Sequence, residues 1–268
     1  MKGGTIWTIA AKDLRESTAT GQVLAPVAIV PFVFVVLYPV GLLLALRSMS
    51  PADAHDLVSK IPTSAFPGTG ELTVQGQAAY ISTVYLFAGF FLIIPTMVAV
   101  VLAANSFAGE KERHTLEGVL YTPVTDTALV VGKIVGAALP AVVISWVCFG
   151  VYTTLVNILG NPLVGHWYFP TLNWWVLMVL LVPAVSVFVT ACVVWVSARV
   201  SSYQSANSIA GFAVLPLILL VVGQATGVML LGPGFFAVLG LVLVVVDVVM
   251  MRWIITTFDR ERVVASFL

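Results

Sequence analysis

The stretch ANSFAGEKERHTLEGVLYTPVTDTALVVGK, residues 104–133, is the polar interruption that decides how this chain is organised. It separates two long apolar runs and places three acids and two bases within positions 110–117. Charged residues make up only 9% of the chain, so a cluster of this kind needs an explanation. In a membrane protein, a charged loop facing the cytoplasm indicates contact with another protein.

The composition excludes an ordinary soluble domain. Of the 268 residues, 60% are hydrophobic, and the mean hydropathy is +1.08. Soluble domains carry about 25% charged residues. The formal net charge is zero, and we predict no nucleic-acid partner. Cys148 and Cys192 both lie in apolar runs, which predicts buried free thiols and no metal site.

Six apolar runs are long enough to cross a bilayer, which takes about 20 helical residues. They are 22–46, 80–104, 127–158, 173–197, 209–231 and 233–256. The last two are separated only by LGPG, residues 231–234, and are expected to form a helical hairpin. The sequence therefore predicts an all-α integral membrane protein in which residues 1–268 form a single transmembrane domain.

The basic residues predict the orientation of these spans. Ten Lys and Arg residues fall on one side of the membrane and only Arg47 and Lys60 on the other. Cytoplasmic loops carry the excess of Lys and Arg. Both termini and the loop 105–126 are thus predicted to be cytoplasmic, in a multi-pass protein surrounded by plasma-membrane lipid. The external loop 47–79 is rich in Pro and Gly, which suggests irregular structure.

Two shorter features complete the predicted topology. Residues 5–16 have apolar residues near helical spacing and a polar opposite side, which predicts an amphipathic helix at the membrane interface. The external loop between the third and fourth spans is flanked by aromatic residues expected to anchor at the interface. These are Trp167, Tyr168, Trp174 and Trp175.

The cytoplasmic loop itself contains the signals of a short helix at about 115–121. Thr115 can cap it, and Glu117 then lies in the first turn, where the helix dipole favours an acid. Pro123 ends it. Thr125 offers a second cap at the start of the third span. The apolar residues of the short helix either pack on the bundle or dock in a partner.

The same loop resembles the signature of type-2 permeases of ABC transporters. In that family an acidic cluster, Gly-Thr-Leu-Glu, a Pro-Val pair and a Gly-Lys link the second and third spans. Here EKERHTLE at 110–117 is followed by TPV at 122–124 and GK at 132–133, with His114 where the family usually has Gly. AKDLRE at 11–16, SAR at 197–199 and FDRER at 258–262 resemble further parts of such permeases.

The resemblance implies that the chain is one half of an ATP-driven transporter, most often an exporter. A second permease, identical or different, would complete the pathway. Separate ATP-binding subunits would bind ATP and Mg²⁺, so this chain would need no cofactor of its own. The loop would carry the coupling helix that docks on such a subunit. The implied coupling residues are Glu110, Glu112, Arg113, Thr115 and Glu117.

Two other function classes fit the sequence less well. The chain has no phosphate-binding loop of the Gly-x-x-x-x-Gly-Lys-Ser/Thr type, because Gly132-Lys133 is followed by Ile134 and Thr127 stands where the first Gly should be. Its three histidines lie in different loops or at span ends. We therefore do not expect an enzyme. The alternative to an ABC permease is a secondary transporter driven by an ion gradient, although no inverted repeat or paired intramembrane charge supports it.

Asp247 is the residue on which that alternative rests. It is the only acid well inside a span, in VLVVVDVVMMRW at 242–253. An acid near the bilayer centre costs about 2.5–3.5 kcal/mol on insertion scales. Arg252, five residues on, lies about 140° around the helix and is poorly placed to pair with it. A substrate- or proton-linked role, a structural hydrogen bond and hydration at the interface all remain open.

Overall fold

The computed structural model describes residues 2–18, 21–59, 66–112, 124–197, 199–200, 203–212, 215, 219, 223 and 232–257. Within these ranges every regular element is helical. The α-helices are α1 Lys2–Thr18, α2 Gly21–Phe32, α3 Tyr38–Ser48, α4 Pro51–Ser59, α5 Val74–Tyr80, α6 Phe87–Phe91, α7 Ile93–Ala104, α8 Glu110–Glu112, α9 Asp126–Val164, α10 Leu172–Val176, α11 Val182–Ser197, α12 Tyr203–Gly211 and α13 Pro233–Thr257. Wider π-helical turns lie at Val33–Leu37, Ile81–Leu86, Asn105–Gly109 and Leu177–Leu181.

Five continuous helices in the described ranges are long and apolar enough to cross a membrane. They are Leu24–Ser48, Val74–Gly109, Asp126–Val164, Leu172–Ser197 and Pro233–Thr257, which we call the first, second, third, fourth and sixth spans. Most of the predicted fifth span, 209–231, lies outside the described residues. The chain is therefore an all-α membrane protein, and the sixth crossing stays a prediction.

Several helices extend beyond the apolar runs that predict them. The second span begins at Val74, where the side chain of Thr73 accepts a hydrogen bond from the Gly76 amide. The third span begins after Thr125, whose hydroxyl accepts from the Ala128 amide, and ends before Gly165 at φ 87°. A left-handed residue at this position favours glycine. Polar capping residues thus extend these helices beyond the apolar runs of the sequence.

The prediction of irregular structure across 47–79 was wrong for Pro51–Ser59, which form helix α4. Ser50 caps this helix, because its Oγ accepts from the Asp53 amide at 3.2 Å and donates to the Asp53 carboxylate at 2.7 Å. Pro51 occupies the first turn, where proline is well tolerated because no hydrogen bond from its nitrogen is needed. The proline that suggested a loop in fact begins a helix.

The second span forms the centre of the bundle, while the first and sixth spans are mostly exposed. Phe87 and Phe91 of this span pack with Tyr152 of the third span and Trp174 of the fourth, and all four side chains are fully buried. The ring centroids of Tyr152 and Trp174 are 5.2 Å apart. The expectation that Trp174 anchors at the interface is therefore wrong, because its ring fills the core. Trp167 and Trp175 are exposed, and Tyr168 is buried.

The π-helical turn Ile81–Leu86 of the second span is tied to its neighbours by side-chain donors. The hydroxyl of Tyr152 donates to the Thr83 carbonyl at 2.9 Å. The indole nitrogen of Trp174 donates to the Val84 carbonyl at 2.8 Å. Within a membrane, backbone groups freed by an irregular turn need such partners. These bonds join the third and fourth spans to the second at fixed positions.

Helix α1 packs closely on the beginning of the third span. A Cβ atom at Gly132 would lie 2.9 Å from the Cβ of Ile9, and one at Gly136 would lie 3.1 Å from the Cα of Ala10. Ala10 is buried, and Trp7 is exposed on another side of α1. The two glycines therefore set the distance between α1 and the third span.

We expect Gly132→Ala to loosen α1, because its new methyl group would collide with Ile9. Gly150→Ala is the matched control, since that glycine lies in the same helix and a Cβ atom there would meet open space. Both changes gain about 1 kcal/mol of helix propensity, but only Gly132→Ala adds an overpacking penalty of about 1–3 kcal/mol. Proteolysis within α1 and thermal unfolding in detergent measure the difference. Equal behaviour of the two variants would contradict this account of the contact.

Candidate functional site

A buried lysine lies where α1, the second span and the third span meet. The side chain of Lys133 is 0% exposed. Its Nζ donates to the Ser106 carbonyl at 2.7 Å and to Glu110 Oε2 at 2.8 Å. It also contacts Asp13 Oδ2 at 3.3 Å and lies 4.6 Å from the centre of the Phe107 ring. The ammonium group is thus surrounded by oxygen acceptors and an aromatic face.

A second lysine completes what we call the ion cluster, defined as Lys12, Asp13, Glu110 and Lys133. Lys12 Nζ donates to Glu110 Oε1 at 2.8 Å, so each oxygen of this carboxylate accepts a hydrogen bond from a different lysine. The hydroxyl of Ser106 reaches Asp13 Oδ2 at 3.5 Å. The formal charges of the four side chains cancel. The cluster joins α1 to the beginning of the polar loop and to the third span.

The two carboxylates respond differently to burial. Burial by itself raises the pKa of Glu110, but the Lys133 charge and the hydrogen bonds from Lys12 and Lys133 bring that pKa below its ordinary value. Burial raises the pKa of Asp13 above its ordinary value, and the Lys133 charge offsets only part of that increase. Glu110 is therefore the principal counter-charge of Lys133.

The residues just before the cluster are held by the fourth span. Ser197 Oγ accepts from the amides of Phe107 and Ala108 at 3.2 and 2.8 Å. It also donates to the Ala104 carbonyl at 3.1 Å. One hydroxyl at the end of the fourth span thus satisfies three backbone groups around the π-helical turn Asn105–Gly109. The start of the polar loop is fixed on three sides.

The chain matches a known protein family. The family described as ABC-2 family transporter protein matches residues 7–242. The chain belongs to the ABC-2 transporter family. It is a transmembrane permease subunit of an ABC transporter, as the resemblance implied. No significant match was found among curated proteins.

Two of the five predicted coupling residues of the ABC-2 permease lie within the described ranges. Glu110 is buried in the ion cluster, whereas Glu112 is exposed. Glu112 Oε1 accepts from the Tyr203 amide at 3.1 Å. An acid at the beginning of α12 stabilises the free amides there. Arg113, Thr115 and Glu117, with the predicted helix 115–121, lie outside the described residues.

Sequence reasoning missed the residues that hold the site together. By sequence, Lys133 is one of the basic residues at the membrane edge and part of a Gly-Lys pair. A lysine within an apolar helix is nevertheless a signal, since such a charge is rare unless it has partners. The pairing of Lys133 with Asp13 joins positions about 120 residues apart and has no local pattern. Ser106 carries no signal either, because serine is common in spans, and the resemblance of SAR at 197–199 to such permeases did not indicate that Ser197 contacts residues 104–108.

Asp247 stays a predicted functional residue of the permease. It is buried on α13, and its Oδ1 has no hydrogen-bond partner within the described ranges. Arg252 is exposed. Among the described residues, no group of three or more His, Cys, Asp and Glu side chains could hold a metal ion. Asp247 lies on α13, a helix that contributes no residue to the ion cluster.

We expect Glu110→Gln to destabilise the permease far more than Asp13→Asn. The folded-state pKa of Glu110 is lowered, so its stabilising contribution is fully present at neutral pH and is lost only as the pH falls through that lowered pKa. Removing one partner of a buried pair costs about 3–5 kcal/mol. Asp13 has a raised pKa, which means that its ionisation is less favourable in the folded than in the unfolded protein, so replacing it with the neutral amide should cost no more than about 1 kcal/mol for the altered hydrogen bond.

Chemical unfolding in detergent at pH 7 measures this difference. Both variants replace a carboxylate with the matching amide, so side-chain volume is preserved in each. An Asp13→Asn protein as unstable as Glu110→Gln would show that the two acids share the lysine charge equally.

Proposed function

We propose that this ABC-2 permease is one half of an ATP-driven exporter of the plasma membrane. A separate ATP-binding subunit, carrying ATP and Mg²⁺, would dock on the cytoplasmic loop 105–126. A second permease, identical or different, would form the other half of the pathway. The observation that carries this proposal is the Glu110–Lys133 contact at 2.8 Å, which bridges the two ends of the loop.

The same contact suggests how a force on the loop would reach the membrane helices. Glu110 directly follows the second span, and Asp126 begins the third. Lys133 lies seven residues beyond Asp126, which is about 10 Å along the helix. The Glu110–Lys133 bond therefore connects the end of the second span to the third span at the base of the loop. A partner that displaces the loop would move the second and third spans together instead of unwinding either end.

Helix α1 belongs to the same unit, because Lys12 and Asp13 contact Glu110 and Lys133. An amphipathic helix of this kind would lie in the interface beside the docked subunit. Ser197 would pass the same displacement to the fourth span. The ion cluster and Ser197 would thus transmit a displacement of the loop to the helices, in addition to stabilising the bundle.

The ion-coupled alternative receives no comparable support. It depends on Asp247, for which no paired charge is seen within the described ranges. Family membership places the permease with ABC transporters instead. Whether the predicted coupling residues contact the ATP-binding subunit is the point that an experiment can decide.

The docking test compares the wild-type protein with Glu112→Lys/Glu117→Lys, purified from native membranes in mild detergent. We expect a phosphate-binding-loop ATPase to co-purify in stoichiometric amount with the wild type and to be lost from the double variant, because charge reversal opposes the docking contacts. Glu71→Lys is the control, since it reverses an exposed acid outside the predicted loop. It should retain the ATPase.

Two outcomes would contradict the proposal in different ways. An ATPase that stays bound to the double variant, with unchanged ATP hydrolysis, would move the docking site away from the loop. No ATPase with an intact and monodisperse wild-type protein would remove the ATP-driven mechanism. In that case transport by Asp247→Asn across a range of pH would test the ion-coupled alternative.

A further inference from the structure

The fourth and sixth spans bring two sulfur atoms into contact, and an acid lies one turn away on the sixth span. The thiol of Cys192 lies 3.8 Å from the thioether sulfur of Met250 and donates to it. Asp247 lies one turn before Met250 on α13 and therefore on the same face of that helix. We propose that these three side chains form an intramembrane site for a soft monovalent cation, Cu(I) or Ag(I).

The sulfur separation fits coordination of a common ion. With the metal–sulfur distance of about 2.3 Å found in zinc thiolates, two sulfurs 3.8 Å apart would subtend an angle of roughly 110° at the metal. An angle of this size belongs to a three- or four-coordinate ion and leaves room for an oxygen ligand. Thiolate and thioether ligands select soft ions such as Cu(I). The two sulfurs would need little movement to bind one.

Asp247 independently indicates that a ligand binds at this interface. Its side chain is more than nine-tenths buried, and its Oδ1 has no hydrogen-bond partner among the described residues. A buried acceptor without a partner is unfavourable, and an acid inside a membrane span generally marks a functional position. A cation held by the neighbouring sulfurs would give this oxygen a partner. Among the described residues, packing alone leaves it without one.

The ligand set favours a monovalent ion over Zn²⁺. Binding would displace the Cys192 thiol proton to solvent, and the thiolate would then cancel the charge of Cu(I) or Ag(I), with Asp247 contributing an oxygen as its neutral acid, so that the site carries no net charge. Structural zinc takes four Cys, His or acidic ligands, and no third such residue joins Cys192 and Asp247 in the described part of the chain. Thioether sulfur is a soft ligand that hard cations such as Mg²⁺ avoid. The proposed ligand class therefore follows from the donors present.

The site lies inside the bundle near its predicted cytoplasmic end. Cys192 is five residues before the end of α11 and Met250 is seven before the end of α13. At 1.5 Å per residue these positions are about 8 and 10 Å from the helix ends. An ion could thus enter from the polar side without crossing the membrane. The proposal does not depend on docking of an ATP-binding subunit or on the direction of transport.

The test is titration of purified, reduced permease in detergent with Ag(I), in competition with a soluble chelator. We expect one ion per chain, with two sulfur neighbours in its first coordination shell by X-ray absorption spectroscopy. Met250→Leu should lower the affinity at least tenfold and leave one sulfur neighbour. Cys192→Ser should abolish binding, and Asp247→Asn should weaken it several-fold.

The chain offers a matched control for each sulfur ligand. Cys148→Ser removes the buried thiol of the third span, and Met251→Leu changes the residue beside Met250. Neither should alter affinity or coordination. Met250→Leu conserves volume and is expected to fold, so it decides the question even if Cys192→Ser is unstable. No Ag(I) binding, or equal affinities for Met250→Leu and Met251→Leu, would overturn the proposal.

Discussion

The ammonium group of Lys133 imposes the strictest constraint on this fold. A charge that is removed from water must be surrounded by acceptors, and an isolated buried charge would be neutralised or expelled. Here the acceptors come from two separate elements, α1 and the end of the second span. The folded third span therefore needs both elements beside it. One side chain thus specifies the mutual positions of three helices.

The ion cluster works together with two very close helix contacts. Gly132 directly precedes Lys133 and allows α1 to approach until its backbone nearly touches the third span. Without that approach, Asp13 would not reach the Lys133 ammonium group at 3.3 Å. Gly132 and Lys133 consequently act together: the glycine allows the close approach of α1, and the lysine forms the ion pairs that depend on it. Hydrophobic burial brings the helices together, and the hydrogen bonds select one register among several that would bury similar area.

Hydropathy predicted the five described spans well, because a bilayer requires about 20 apolar residues in a helix and little else has that pattern. The charged loop also identified the family, which the match over residues 7–242 confirmed. The end points were less accurate. Ser50 and Pro51 begin a helix in a stretch whose prolines suggested a loop. Capping hydrogen bonds extend the second and third spans beyond their hydrophobic runs.

The parts that sequence could not predict all depend on tertiary contacts. Trp174 has the composition of an interface anchor, yet its indole nitrogen reaches the carbonyl of Val84 within the core. A single span does not show which of its faces points inward, because lipid and protein interior favour the same side chains. For the same reason Cys192 looked like an inert thiol. Only the packing of the fourth span on the sixth places Met250 beside it.

The fourth span connects the two polar features of the permease. Its last residue, Ser197, holds the backbone at the start of the loop, and Cys192 lies five residues earlier in the same helix. A helix is stiff over so short a distance, because each turn is closed by hydrogen bonds. Any displacement of residues 105–109 that Ser197 follows would therefore shift Cys192 relative to α13. The sulfur pair has no covalent link across the interface, so its 3.8 Å separation is the quantity that such a shift would change first.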